Sequence, residues 1–60
     1  MNDFDYSEYS DHELVNAWNY LETCILSDYV EKKMDAIMRE CQSRKIISWN
    51  KNGEEIKYDN

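Results

Sequence analysis

The chain has 60 residues, no proline, one glycine, two cysteines and a formal net charge of −6. A chain this short makes one domain at most, buries only about 60% of the surface its unfolded form exposes, and has little material to wall off an active site. Its apolar and charged fractions, 42% and 33%, are globular rather than disordered, and with no apolar run near the ~20 residues of a bilayer span and no signal-peptide pattern, a cytoplasmic protein with no membrane partner is expected.

Residues 1–9 alternate acid with aromatic through Asp3, Phe4, Asp5, Tyr6, Glu8 and Tyr9, without a helical period. So many rings are costly to leave in water, and partial packing onto the rest of the chain is expected. A helix then begins at a well-marked boundary. Ser10 is a good N-cap, and Glu13, three residues later, completes a capping box. Tyr9 and Leu14 can close a hydrophobic staple, while Asp11 and Glu13 suit the positive end of the helix dipole. Leu14, Trp18, Leu21 and Ile25, with Ala17 and Cys24 alongside, form one apolar stripe at helical period.

That stripe does not continue in phase, because its next members would be Asp28, Lys32 and Asp35. A second stripe instead runs through Leu26, Val30, Met34, Ile37 and Cys41, with Met38 beside it. At about 100° per residue the two stripes lie on opposite sides of an unbroken helix. The favoured reading is a break at Ser27-Asp28, with Ser27 as a second N-cap, Glu31 in the turn after it, and both stripes turned inward. The alternative is one long helix whose two faces are covered by other layers or other chains.

Asn52-Gly53 is a strong hairpin signal, since both central residues of a type I′ turn need positive φ. That turn pairs Lys51 with Glu54, Trp49 with Ile56 and Ile47 with Tyr58, placing the four apolar residues on one face. A lone hairpin is barely stable in water, so this face must lie on the helices. The expected fold is α+β, mainly α. It is a single small domain over 1–60, with an acidic and aromatic segment (1–9), a helical region (10–44) and a β-hairpin (45–58).

Catalytic chemistry is thinly represented. The one histidine, His12, falls in the first turn of a helix, and its neighbours Asp11 and Glu13 point in other directions. Cys24 and Cys41 lack metal-ligand spacing and read as reduced, partly buried thiols. The only glycine belongs to the turn, leaving no phosphate-binding loop. A non-enzymatic protein without catalytic residues, cofactor or metal is expected. Trp18 and Trp49 read as core anchors.

Charge is divided along the chain. Residues 1–31 hold eight acids and no lysine or arginine, whereas residues 32–60 hold seven bases against five acids. An acidic surface repels nucleic acid and attracts basic partner sites. The expected recognition residues are therefore Asp3, Asp5, Glu8, Asp11, Glu13 and Glu22 for charge, with Phe4, Tyr6 and Tyr9 as apolar anchors. The leading functional expectation is a small acidic binding protein, itself a homodimer, that occupies a protein partner with a basic surface. By analogy of size and charge this extends to a phage- or mobile-element-type inhibitor of a host nucleic-acid-handling or defence protein, acting in the host cytoplasm by nucleic-acid mimicry. Two other classes compete. A small DNA-associated regulator would use Lys32, Lys33, Arg39, Arg44 and Lys45 with the hairpin, against the unfavourable overall charge. A structural homo-oligomer, simplest as a dimer, would supply the core that a short chain lacks.

Overall fold

The computed structural model of the chain describes residues 4–59. Two helices are followed by a two-stranded antiparallel hairpin, a mainly helical α+β arrangement: α1 (Asp11–Glu22), α2 (Asp28–Ser43), β1 (Ile46–Trp49) and β2 (Ile56–Tyr58). Helix α1 starts where its capping residues dictate. The Ser10 side chain accepts the Glu13 N–H at 3.2 Å, and the Glu13 carboxylate accepts the Ser10 N–H at 2.9 Å. The helix ends without glycine: the Thr23 hydroxyl donates to the Tyr20 carbonyl at 2.7 Å, and the Thr23 and Cys24 N–H groups bond back into the last turn. The chain breaks at the expected place. Ser27 caps α2, its hydroxyl oxygen accepting the Val30 N–H at 3.3 Å.

The core lies where α1, α2, β1 and the early segment meet, and consists of Tyr6, Leu14, Val15, Leu21, Ile37, Cys41 and Ile46. Both stripes point into it, with two corrections. Ile25 and Leu26, expected at the end of one stripe and the start of the other, are solvent-exposed because they lie in the connection Thr23–Ser27, where helical phase no longer applies. Val15, one position off the first stripe, is fully buried because the hairpin covers a second flank of α1.

The hairpin exists, but its turn and register differ from the sequence expectation. Trp49 faces Ile56 as expected, whereas Ser48 faces Lys57 and Ile46 faces Tyr58, leaving Ile47 as an extra residue in a bulge. The expected Ile47–Tyr58 and Lys51–Glu54 pairs do not form. The reason is Asn50. Its backbone carbonyl accepts the Gly53 N–H at 3.0 Å, and its side-chain oxygen accepts the N–H groups of Glu54 and Glu55 at 2.8 and 3.2 Å. These bonds stabilise a turn over Asn50–Gly53, with Gly53 alone at positive φ (69°). Asn52 therefore stays out of the left-handed region that a type I′ turn requires.

Two polar clamps fix the hairpin against the helices. At one end the Asn19 amide donates to the carbonyls of Asn50 and Lys51, at 3.3 and 2.9 Å, while its oxygen accepts the Trp49 indole N–H at 3.0 Å. At the other end Arg44 contacts Asp11 (2.8 Å) and Glu40 (2.9 Å), and donates to the carbonyls of Tyr6 and Ser7 at 3.3 and 3.1 Å. The Tyr58 hydroxyl donates to the other oxygen of Asp11. Arg44 is the C-cap of helix α2, and Lys45 reverses the chain into β1 with φ at 62°.

Candidate interaction surface

The acids of the first half have mostly local duties. Asp11 and Glu13 occupy the first turn of α1, and Asp28 and Glu31 that of α2. There unpaired N–H groups and the helix dipole favour negative charge. Two helix starts within 31 residues thus account for much of the one-sided charge. The Glu13 carboxyl is held below the usual range, first by the Ser10 backbone N–H and then by the Ser10 side chain. Asp11 is lowered first by the Tyr58 hydroxyl and then by the Arg44 guanidinium. Asp5 accepts the Ser7 N–H at 3.0 Å and its hydroxyl at 2.7 Å, and these two bonds lower it in that order. Asp3 lies outside the described residues. Glu8 and Glu22 are exposed and stand at opposite ends of α1, about 18 Å of helix apart. Among the described residues, Glu22 thus stands apart from the other expected recognition acids, which lie at or before the start of α1.

The three expected apolar anchors divide. Tyr6 is 6% exposed and belongs to the core, and it also lines, with Phe4 and Asp5, a groove of about 430 Å³ against α2. Tyr9 packs edge-on against Tyr6 with ring centroids 4.9 Å apart and keeps a solvent-facing side. Phe4 is half-buried, its ring 5.7 Å from that of Tyr29. The segment is strapped down by the Arg44 bonds to its carbonyls.

The most exposed large aliphatic residues lie elsewhere, in the connection between the helices. Ile25 is 91% and Leu26 is 66% exposed, with Tyr20 and Tyr29 exposed on the adjoining helix turns. The acids of this end are Glu22, Asp28 and Glu31. The bases here are Lys32 and Lys33 on α2, the latter with its ammonium 5.0 Å from the Tyr29 ring centre, and Lys51, which lines a pocket with Glu22 and Thr23. The sequence did carry a signal for this patch. Two bulky aliphatics stand directly before the second N-cap, at the junction of two stripes out of phase, where neither helix face can cover both.

Beside this end, between α1 and β1, runs a groove of about 310 Å³ whose principal walls are Trp18, Glu22, Ile47, Trp49 and Lys51. The two indoles meet edge to face, centroids 6.1 Å apart and planes at 83°. Both are half-buried, which makes them core anchors on one side and groove walls on the other. Asn19 lies at the groove floor with both ends of its amide bonded.

The cations of the second half are partly committed. Arg44 is embedded in its four-way contact, and Arg39 pairs with Asp35 at 3.1 Å. His12 is exposed on α1. Both cysteines are free; Cys41 is buried, and burial pushes its thiol up, while Cys24 reaches the Tyr20 carbonyl at 3.6 Å. Among the described residues no three His, Cys, Asp or Glu side chains converge as metal ligands, and no helix is long and apolar enough to cross a membrane. No protein-family profile, curated protein or solved structure matches the chain.

Proposed function

We propose that this chain is a non-enzymatic protein-binding module whose partner offers an apolar surface edged with basic groups. The observation that carries this reading is the pair Ile25 and Leu26, held at 91% and 66% exposure by two capped helix ends. Leaving two such side chains in water forfeits about 1.5–3 kcal/mol of burial energy each, which a partner's surface can recover. Their acidic setting favours a basic rim over a second copy of the same acidic end, and over anionic lipid or nucleic acid. The recognition surface thereby moves from the early aromatic segment, which the core has partly absorbed, to the junction of the helices. The proposal retains Glu22 from the acids singled out in the sequence.

The test is affinity capture from cell extract with three forms of the chain: wild type, an Ile25→Ser/Leu26→Ser double variant, and Glu22→Lys/Asp28→Lys. Capture of the same proteins by the wild type in low salt, lost in both variants with unchanged helical circular dichroism, supports the reading. Equal capture by all three forms overturns it. So does concentration-dependent self-association of the wild type that the Ile25→Ser/Leu26→Ser variant abolishes.

A further inference from the structure

We infer that the groove between α1 and β1 is a receptor for one basic side chain of the partner, an arginine lying against the Trp18–Trp49 pair with its guanidinium directed to Glu22. This rests on the protein-binding reading above and names the group recognised. The inference follows from what the groove's polar atoms have left to offer. The Trp49 N–H is spent on Asn19, and the Asn19 amide is spent on the carbonyls of Asn50 and Lys51. The Asn50 side-chain oxygen is spent on Glu54 and Glu55. What remains is indole surface, the Trp18 indole N–H, the Asn50 side-chain N–H donors, the apolar flank of Ile47, which is 63% exposed at its bulge, the Ser48 hydroxyl and two opposed charges, Glu22 and Lys51.

A ligand for such walls has an apolar stem, a flat donor-rich head and positive charge. Indole faces attract cations through their quadrupole, and a guanidinium stacks on them while keeping its N–H donors free for a carboxylate. A carboxylate-bearing ligand would meet Lys51 and the free N–H donors of Trp18 and Asn50, but it would also meet Glu22 and the net charge of −6. Lys51 is thus an electrostatic opponent at the rim, and its sign makes the inference easy to test. No ion pair within 4.0 Å joins it to Glu22, so the carboxylate remains open to a competing cation.

Trp18 and Trp49 are the only tryptophans in the chain, so indole fluorescence and the two indole N–H resonances report on the groove without labelling. The experiment titrates the intact chain with N-acetyl-argininamide, N-acetyl-leucinamide and N-acetyl-glutamic acid amide. Saturable shifts of the indole signals with the arginine probe alone, weakened about threefold in Glu22→Gln and strengthened by a similar factor in Lys51→Gln, support the inference. Equal response to the leucine probe, tighter binding of the glutamate probe, an identical arginine response in both variants, or no indole shift at all overturns it. Failure here with capture through Ile25 and Leu26 intact would remove the arginine receptor and leave the protein-binding reading standing. Equal capture by the wild type and the Ile25→Ser/Leu26→Ser variant, with the arginine response intact, would remove the helix junction as the recognition surface and leave the groove as a site for an arginine side chain.

Discussion

Gly53 offers the sharpest quantitative prediction, because its turn seats the hairpin and so sets the width of the Trp18–Trp49 groove. It sits at φ 69°, and a Cβ there would collide with the Asn16 side-chain oxygen and stand 3.0 Å from a Val15 methyl. The Asn16 amide is exposed and can swing away. The Val15 methyl belongs to a fully buried core residue and cannot. Gly53→Ala therefore combines about 1–2 kcal/mol for a side chain in the left-handed region with about 1–3 kcal/mol for overpacking. The smaller freedom of alanine in the unfolded chain returns about 0.4–1 kcal/mol. The expected net loss is about 2–3 kcal/mol, to be set against a total of about 3–9 kcal/mol for a chain this size. Urea unfolding followed by tryptophan fluorescence reads the loss directly. With a slope near 1 kcal/mol per molar, the midpoint falls by about 2–3 M. Gly53→Asn separates the causes, since asparagine tolerates the dihedral but keeps the Cβ. A stability within about 0.5 kcal/mol of wild type for the alanine variant would refute the reasoning.

The Asp11–Tyr58 bond predicts a stability profile limited at both ends of the pH scale. Asp11 is held below the carboxylate range, so its contribution is present above its unfolded pKa and is lost as pH falls through the folded one; Tyr58 is raised by the same bond, so its contribution is present below its unfolded pKa and is lost as pH rises through the folded one. Urea midpoints across pH should thus fall below about pH 4 and above about pH 10, with Tyr58→Phe removing the alkaline loss and shallowing the acid one; an unchanged profile counts against the bond. At Lys45, which holds φ 62° immediately after α2, Lys45→Gly is expected to raise stability by about 0.5–1 kcal/mol in the same urea assay, the left-handed strain released exceeding the entropy glycine adds to the unfolded chain. A lowered midpoint would show that the lysine stem contributes more than its backbone strain costs.

What could be read from the sequence was whatever is decided within a few residues. The Ser10–Glu13 box, the Ser27 cap and the change of apolar phase between Ile25 and Leu26 are local, and they placed both helices. The hairpin was readable as a hairpin because Gly53 must adopt positive φ, but its register was not. Asn50 and Asn52 both offer turn chemistry, and the choice fell to Asn50 through two side-chain bonds to Glu54 and Glu55. Val15 and Tyr6 became core residues only because distant segments arrived to cover them. The negative half, which as a string of letters resembles a recognition surface, is in large part the composition that two helix starts require. Glu22, like Glu8, has no such local duty, and it is the one that borders the groove.

Arg44 gathers segments from both sides of the chain around a single planar cation: carbonyls from residues 6 and 7, the first turn of α1, and through Asp11 the ring of Tyr58. The molecule is consequently fastened like a drawstring bag. Loosening the early segment slackens β2, and a disturbance at the last strand is felt at the start of α1. For a domain with so few buried side chains, such mutual fastening favours all-or-nothing unfolding over gradual peeling from one side.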